Sequence, residues 1–393
     1  MRIETMRYTE RFGSVRLHDV QKVLELDSGR RRSDFPEDRG TIKLDEEAIR
    51  DIENKMAIVV PIKNEKLKLF EGVVSGIPHD CLIIAVSNSQ RAPVDRFRME
   101  RDALGQFCHF TQNQALVAYQ KDPSIARALA DAGYTDLLTD DGLVRDGKSE
   151  GMVIGLLLAM AAGKEYVGFV DADNYFPGAV WEYVKCYAAG FTMAASPHAM
   201  VRILWRYKPK ISMGMYFKRW GRVSEITNRC LNLVISAKTG FETDIIKTGN
   251  AGEHAMTIKL AKLLPYASSF AVEPQELMSI FEDFGGVLPT PYSELVEQGV
   301  EIFQIETRNP HFHEEKGDQH LQEMLLPGLS VIYHSPLCDE ETKAVILREL
   351  ILHKALKSDE ELAKVHINAA PKKIALESLV ESLKEHIDLY QVF

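Results

Sequence analysis

The chain has 393 residues, 45% hydrophobic and 26% charged, and is long enough for one large α/β unit or two fused lobes. This composition is close to the globular average and argues against disorder, collagen-like repeats and coiled coil. The 47 basic and 57 acidic residues give a net charge of −10. That balance disfavours nucleic acid as the main partner, because phosphate backbones are bound through clustered Lys and Arg.

No segment has the pattern of a membrane anchor. The longest apolar stretch, residues 151–163, is too short to span a bilayer and is predicted to be a buried helix. The first residues mix acidic and basic side chains without an apolar block, so no secretory signal is expected. We therefore expect a cytoplasmic protein without membrane contact. The five cysteines are widely spaced, lack a C-x-x-C pair and are expected to be reduced.

Short apolar runs alternate with helical segments in the first half, which is typical of a parallel sheet covered on both faces. Strands are predicted at residues 56–61, 81–87, 114–119 and 166–171, and helices at 65–75, 93–110 and 148–162. Polar residues follow each strand, where ligands of such sheets bind. Asn, Asp and Ser also favour ordinary turns. Together, however, these strand ends predict one crevice: Pro61, Lys63, Asn64 and Glu65, then Ser87 and Asn88, then Gln120 and Lys121, then Asp171 and Asp173.

The second half has a more mixed pattern. Strands are predicted at residues 199–205, 243–247, 266–272 and 300–305, and helices at 222–238, 253–264, 274–284 and 319–333. After Pro336 the pattern predicts an accessory helical tail, at about residues 340–357 and 372–389, without a cluster that suggests chemistry.

Asp171 and Asp173 form the sharpest motif, two carboxylates at the end of an apolar strand. Hard divalent ions prefer carboxylate and phosphate oxygens, so the pair suits a metal–diphosphate complex. The alternative is a turn capped before Pro177. We favour the metal, because a buried strand rarely ends in two unpaired acids. His311 and His313 are candidates for a further ligand or for a structural loop.

Two helix starts and one turn are candidates for anion binding. Gly221, Arg222 and Ser224 would offer phosphate a backbone N–H, a guanidinium and a hydroxyl, although a plain N-cap fits equally well. The glycines of residues 249–252 allow close approach to a ligand or simply a tight connection. Lys148 would neutralise a diphosphate or lie solvated at a helix end.

These spaced motifs together resemble those of the mannosyl-3-phosphoglycerate synthases, over nearly the whole chain to about residue 335. The resemblance implies a Rossmann-like α/β glycosyltransferase of the A-type fold, with a mixed second half and a C-terminal helical tail. It implies retaining transfer of mannose from GDP-mannose to 3-phosphoglycerate, giving a precursor of the compatible solute mannosylglycerate. A divalent metal is implied, Mg²⁺ first and Mn²⁺ or Co²⁺ as alternatives.

The resemblance also implies how the chain is divided. Residues 1–50 would be a leader, 51–210 a nucleotide-sugar-binding half, 211–335 an acceptor- and metal-binding half, and 336–393 a tail whose helices support a homodimer.

The roles of individual residues follow from the same resemblance. The donor would contact Pro61, Lys63, Asn64, Glu65, Ser87, Asn88, Gln120, Lys121, Lys148, Asp171 and Ala172. Asp173, His313 and Asp171 would hold the metal. By likeness to a Gly-Arg-Val-Thr turn in the glucosyl-3-phosphoglycerate synthases, the acceptor phosphate would contact Gly221, Arg222 and Ser224. Asn250 and His254 would also bind substrate. The implied catalytic set is Asp173, Lys148, Asn250 and Glu253.

Other functions stay open at this stage. A glucosyl-3-phosphoglycerate synthase-like transferase and a non-catalytic nucleotide-sugar-binding protein both fit the pattern. A sugar nucleotidylyltransferase would need a Gly-rich, Arg-containing loop after the first strand, and an aspartyl-phosphate phosphatase would need Thr or Val where Asn174 stands. For retention, same-face attack is favoured over a double displacement with Glu253 as nucleophile, and the sequence does not separate them.

Overall fold

A mixed β-sheet with helices on both faces forms the centre of the protein. The computed structural model describes residues 1–26, 40–174, 176–205, 208–211, 215–218, 221–311 and 317–386. The strands are β1 (Arg2–Glu4), β2 (Thr9–Phe12), β3 (Val15–His18), β4 (Gln21–Glu25), β5 (Thr41–Lys43), β6 (Met56–Ile62), β7 (Leu82–Ser87), β8 (Ala115–Tyr119), β9 (Tyr166–Phe169), β10 (Ala199–Leu204), β11 (Lys208–Ile211), β12 (Met215–Lys218), β13 (His254–Thr257), β14 (Tyr266–Ala267), β15 (Val300–Glu306) and β16 (Ile367–Asn368).

The helices lie between and after these strands. They are α1 (Glu46–Asn54), α2 (Leu67–Gly76), α3 (Arg96–Thr111), α4 (Pro123–Asp131), α5 (Lys148–Ala161), α6 (Pro177–Met193), α7 (Arg222–Thr239), α8 (Ile258–Ala261), α9 (Val272–Phe284), α10 (Gly317–Tyr333), α11 (Glu340–Leu352) and α12 (Leu376–His386). Short 3-10 helices lie at Ser269–Ala271, Ser293–Leu295 and Pro371–Lys373.

The strand order predicts a ligand site beside β6. Among the described residues the central sheet has twelve strands, in the order β5-β1-β4-β15-β10-β13-β9-β6-β7-β8, with the β2–β3 hairpin joined to β15 through β3. β9, β6, β7 and β8 are parallel, whereas β13 is antiparallel to β9 and β10. The chain winds outward from β6 to β8 and then returns to β9 on the other side of β6. Ligands of doubly wound sheets bind at such a switch point, at the carboxyl ends of the strands.

Alternate residues of the central strands enter two hydrophobic cores. In β6, Ala57 and Val59 belong to a core with α5, α7, α9 and α10, whereas Ile58 and Val60 belong to a core with α1, α2 and α6. Helix α5 is buried from Ser149 to Ala159. Its lack of a polar face follows from this burial. Because both faces of the sheet are covered, the predicted α/β architecture is confirmed.

Two predicted elements of the second half are wrong. Residues 243–247 form no strand, because side-chain amides bind their backbone instead: Asn232 bonds the N–H and the carbonyl of Ile246, and Gln304 bonds the N–H of Lys247. The predicted helix at residues 253–264 is replaced by strand β13 followed by the four-residue α8. Its helical periodicity is overridden because β13 fills the gap between β9 and β10.

The remaining differences concern short or marginal elements. Only Tyr266–Ala267 is strand in the predicted strand 266–272, since a 3-10 helix and α9 follow. Residues 1–50, predicted as a leader, supply β1–β5 to the sheet and most of α1. Helices α1, α4 and α6 were not predicted.

The tail is attached to the rest of the fold. Helix α11 packs on α7 and α10, α12 packs on α4 and α5, and β16 pairs with β14. The domain boundaries and the homodimer stay predictions. All five cysteines are buried and form no disulfide. No helix among the described residues has the length and apolarity needed to cross a membrane.

Candidate active site

Asp146 joins the ends of β6 and β7. Lys63 Nζ lies 3.1 Å from Asp146 Oδ2, and Asn88 Nδ2 donates to Asp146 Oδ1. Burial would raise the pKa of Asp146, but these two partners hold it below its usual value. Ile62 and Ser87 lie opposite each other in the β6–β7 ladder, so the residues that follow them share the next row at the sheet edge. Lys63 and Asn88 are therefore brought together, as predicted for one strand-end cluster.

A buried carboxyl, that of Glu100, fixes two serine side chains at the same edge of the sheet. Glu100 of α3 accepts hydrogen bonds from Ser87 Oγ at 2.6 Å and Ser89 Oγ at 2.7 Å, and burial raises the pKa of this carboxyl. Ser89 Oγ in turn accepts from the backbone N–H of Asn64 at 2.8 Å, where φ is 64°. Ser87 is thus bonded inside the protein, and its predicted nucleotide contact stays a prediction. Pro61 and Glu65 flank this turn, partly buried.

Gln120 and Lys121, at the end of β8, hold the segment that leads into α5. Gln120 Nε2 donates to the carbonyls of Arg145 at 2.8 Å and Gly147 at 3.1 Å, and Lys121 Nζ donates to that of Val144 at 2.7 Å. Gln120 is buried. These residues fix the start of α5, where Lys148 lies, and their contact with the nucleotide stays a prediction.

Lys148 lies between two carboxylates at the mouth of the crevice. Its Nζ is 2.7 Å from Asp171 Oδ1 and 3.0 Å from Glu273 Oε1. The Lys148 side chain is 17% exposed and that of Glu273 is 7% exposed. Burial alone would lower the pKa of Lys148, but the two carboxylates outweigh it and raise the pKa above the usual value of lysine. Lys148 therefore keeps its positive charge beside Asp171, as its predicted role at a diphosphate requires.

The turn after β9 is fixed by Asn174. Its Nδ2 donates to the backbone carbonyl of Asp171 at 3.1 Å and to Glu253 Oε1 at 2.9 Å. Glu253 is fully buried, and its Oε2 has no hydrogen-bond partner among the described residues. Burial, together with the nearby charge of Asp171, raises the pKa of Glu253 to about 8. Glu253 therefore lies behind the turn, where the protonated form is favoured more than in an exposed glutamate, while Asp173 is partly exposed and Ala172 is buried.

The donor set of this turn suits a hard divalent cation. Asp171 and Asp173 supply carboxylate oxygens, the ligand type that Mg²⁺ prefers. Among the described residues no group of three or more His, Cys, Asp or Glu side chains is assembled as a metal site. The predicted third ligand, His313, lies outside the described residues. The two aspartates thus fit a metal, and completion of the site by His313 stays a prediction.

His311 is buried behind the same turn. Its ring stacks on Trp205 with centroids 4.2 Å apart, and its Nδ1 lies 3.3 Å from Tyr183 Oη and 4.0 Å from Glu253 Oε1. Glu182 of α6 accepts bonds from the backbone N–H groups of residues 308 and 309 at 2.7 and 2.9 Å. The chain that leads to position 313 is therefore fixed by a buried carboxylate.

Residues 248–252, which we name the Asn250 loop, lie against both α7 and Asp171. Asn228 Oδ1 accepts the N–H of Gly249 at 2.6 Å. A Cβ on Gly252 would lie 2.7 Å from Asp171 Oδ2, so only glycine allows this approach. Asn250 is 8% exposed, and neither Nδ2 nor Oδ1 has a hydrogen-bond partner among the described residues. An unpartnered buried amide in the loop whose Gly252 meets Asp171 is what a polar ligand would satisfy.

The predicted acceptor-phosphate residues open α7. Gly221 is its N-cap, and a Cβ there would meet no atom of the described residues within 4 Å. The first N–H groups of a helix have no intrahelical acceptor and attract anions. Ser224 is partly buried, and the Arg222 side chain lies outside the described part of the structure. Phosphate binding here stays a prediction.

Both ring nitrogens of His254 have hydrogen-bond partners within the protein. Nδ1 lies 2.9 Å from the carbonyl oxygen of Ala251, which can only accept, and Nε2 lies 3.1 Å from Glu276 Oε1. The residue is fully buried. Its predicted contact with substrate stays a prediction and would require one of these bonds to be exchanged.

Several contacts that build the site were not found from the sequence. Glu273 is 125 positions from Lys148, and Glu253 is 79 positions from Asn174, so no local spacing reports either contact. Asp146 and Glu100 lie in charged segments that also fit solvated surface. The sole sequence signal for Glu273 is an acid directly before the predicted helix at residues 274–284, which is also an ordinary N-terminal preference.

Comparisons with known proteins identify the family of the chain. The family model for mannosyl-3-phosphoglycerate synthase matches residues 5–383. The mannosyl-3-phosphoglycerate synthase of Pyrococcus furiosus is 48% identical over 388 residues, 98% of each chain, and that of Aeropyrum pernix is 40% identical over 344 residues, 87% of each chain. A crystal structure of Mycobacterium tuberculosis glucosyl-3-phosphoglycerate synthase with Mn²⁺, UDP and phosphoglyceric acid matches with a TM-score of 0.48 and 18% identity, covering 74% of this chain and 84% of that one. From the family model and the two relatives, the chain belongs to the mannosyl-3-phosphoglycerate synthase family of glycosyltransferases.

Proposed function

We propose that the protein transfers mannose from GDP-mannose to a hydroxyl of 3-phosphoglycerate with retention, giving mannosyl-3-phosphoglycerate and GDP. Membership of the family over residues 5–383 supports this activity. The structural observation that carries it is the approach of Lys148, Asp171 and the Asn250 loop at one crevice. A buried cation, a carboxylate turn and an unpartnered amide are the groups that a sugar diphosphate and a polyol acceptor require.

On the donor side, Lys148 stabilises the leaving diphosphate. Its charge is maintained by Asp171 and Glu273, and the crevice excludes much of the water around it. Preorganised charge of this kind is worth more in a dry site than in water, and it favours the state in which the sugar–phosphate bond breaks. The residues that follow β6 and β7 are placed to hold the nucleoside: Lys63, Asn64 and Asn88.

Asp173 and Asp171 would hold a divalent metal, with His313 as the predicted further ligand. Mg²⁺ is the expected ion, and Mn²⁺ or Co²⁺ would be alternatives. When bound, the metal would add charge stabilisation on the diphosphate oxygens. Asn174 fixes the carboxylate turn through its bonds to the Asp171 carbonyl and to Glu253, so the aspartates are oriented before any ligand arrives.

The acceptor side consists of the start of α7 and the Asn250 loop. The phosphate would bind the first turn of α7 at Gly221, Arg222 and Ser224, and the glyceryl part would extend toward Asn250. Asn228 of α7 bonds the N–H of Gly249, which fixes the helix relative to the loop. The acceptor would therefore be oriented from both ends, an arrangement that favours reaction by proximity.

The structure supports same-face attack as the route to retention. A double displacement needs an ionised carboxylate beneath the anomeric carbon. Glu253 is the candidate, but it is fully buried, bonds Asn174 and has a pKa raised to about 8 by burial. We propose that Glu253 positions the aspartate turn and that a leaving-phosphate oxygen takes the proton of the acceptor hydroxyl.

A donor-by-acceptor activity matrix tests the proposal. GDP-mannose, GDP-glucose and UDP-glucose are each combined with 3-phosphoglycerate, glycerate or no acceptor, with Mg²⁺ present. We expect transfer from GDP-mannose to 3-phosphoglycerate, lost in Asp173→Ala and retained in Asp359→Ala, which changes an exposed tail carboxylate. Tight GDP-mannose binding without turnover would instead indicate a binding protein, and GDP release without 3-phosphoglycerate would indicate a hydrolase.

A further inference from the structure

We propose that Arg202, Glu276 and His254 form a buried clasp that positions the Asn250 loop for transfer. The proposal rests on the function proposed above, because it assumes that the Asn250 loop contacts the acceptor. The three side chains are fully buried, so they act through the loop and do not touch substrate in this conformation. They are positioning residues.

The Arg202 guanidinium binds backbone carbonyls of two separate segments. From strand β10, its Nε donates to the carbonyl of Thr248 at 2.9 Å, and its Nη2 lies 3.3 Å from that of Gly249. The same Nη2 donates to the carbonyl of Glu273, at the start of α9, at 3.2 Å. Nη1 lies 3.3 Å from Glu276 Oε2, which balances the charge. One side chain therefore ties the Asn250 loop to α9.

His254 completes the clasp from the other side of the loop. Its Nδ1 donates to the carbonyl of Ala251 at 2.9 Å, and its Nε2 lies 3.1 Å from Glu276 Oε1. Each oxygen of Glu276 thus serves one member of the clasp. The carbonyls of Gly249 and Ala251, on both sides of Asn250, are bonded to buried side chains, whereas the side-chain amide of Asn250 has no hydrogen-bond partner in the described part of the chain.

The same residues connect the loop to the charged end of the crevice. Glu273, whose carbonyl binds Arg202, places its carboxylate 3.0 Å from Lys148 Nζ. The proposed donor-phosphate lysine and the proposed acceptor amide are thereby held by one network. Burying an ion pair is poor evidence for stability by itself, because desolvation offsets the attraction. Fixing two reacting groups relative to each other is a reason for this pair to be buried here.

The test removes the clasp without leaving a buried charge. Arg202→Met alone would leave the Glu276 carboxylate buried without its cation. The main variant is therefore Arg202→Met/Glu276→Gln. The matched control is Lys185→Met/Glu53→Gln, which removes another buried ion pair, 2.8 Å long, between α6 and α1. For each protein we would measure the melting temperature, the affinity for GDP by calorimetry, and kcat and KM for both substrates. GDP reports the strand ends of β6 and β7 and, through its diphosphate, Lys148. The clasp variant leaves both carboxylates beside Lys148, Asp171 and Glu273, in place.

We expect the clasp variant to fold, to bind GDP with wild-type affinity, and to lose about 100-fold in kcat, the scale of a misplacement of about 1 Å. The control should keep wild-type kcat whatever its melting temperature. His254→Phe, which keeps the ring but removes both bonds, should lower kcat in the same way and provides the test if the double variant does not fold. Wild-type kcat in either clasp variant, or a parallel loss of GDP affinity, would overturn the clasp. A wild-type protein without transfer would overturn the proposed function instead.

Discussion

Replacing Lys148 by Met tests the donor side of the crevice. The substitution keeps most of the apolar stem and removes the cation that lies 2.7 Å from Asp171 and 3.0 Å from Glu273. If Lys148 stabilises the leaving diphosphate, the loss should appear in kcat and in the donor KM, with the acceptor KM little changed.

The structure gives the expected loss of unfolding free energy and the expected fall in kcat for Lys148→Met. Glu273 is 7% exposed, and removing one partner of a buried ion pair costs about 3–5 kcal/mol of unfolding free energy. Asp171 is 32% exposed, so water screens part of its charge and the lower end, about 3 kcal/mol, is expected. Removing one preorganised stabilising group lowers kcat by about 10²–10³-fold.

Steady-state rates with varied donor, combined with thermal melts, separate these two effects. Lys164→Met is the matched control, because Lys164 lies just beyond the other end of α5 and its Nζ bonds the carbonyl of Asn54. We expect Lys164→Met to keep wild-type kcat. A folded Lys148→Met protein with kcat within a few-fold of wild type would refute the assignment of Lys148 to the leaving group.

Three further predictions follow. The folded protein should hold a proton on Glu253 that the unfolded chain releases between about pH 4.5 and 8, so Glu253 lowers stability as pH rises through that window. In metal-free protein, Glu253→Gln should therefore gain unfolding free energy over wild type by up to about 1.4 kcal/mol per pH unit there, and a pH-independent difference in denaturant titrations would contradict this. Gly252→Ala should lower kcat strongly, because its Cβ meets a carboxylate oxygen at 2.7 Å, whereas Gly178→Ala, with open space around it, should leave kcat unchanged in the same assay. Arg222→Ala should raise the acceptor KM far more than the donor KM, with Arg229→Ala on the same helix as control, and an unchanged acceptor KM would remove Arg222 from phosphate binding.

The first half of the fold was predictable because its strands are continuously apolar. Strands β6, β7 and β9 are almost fully buried, so each appears as a short run such as residues 56–61 with polar residues directly after it. Parallel topology then brings those polar residues to one edge, and the structure places Lys63 and Asn88 on a shared Asp146. This part of the site needed no long-range information.

The second half of the fold was less predictable because side chains from distant elements determine its backbone. Residues 243–247 have strand composition, but the amides of Asn232 and Gln304 take their hydrogen bonds. Strand β13 has helical periodicity, but the open position between β9 and β10 requires a strand. The partners of Lys148 and Asn174 are set by the fold and not by spacing, so Glu273 and the support from Glu253 became visible only in the structure.

The anomeric configuration of the product is the most direct test of retaining transfer to 3-phosphoglycerate. The purified protein is incubated with GDP-α-mannose, 3-phosphoglycerate and Mg²⁺, and the product is examined by NMR spectroscopy before and after addition of a chelator. We predict α-linked mannosyl-3-phosphoglycerate, formed only with metal present. A β-linked product, or free mannose with unchanged 3-phosphoglycerate, would contradict it.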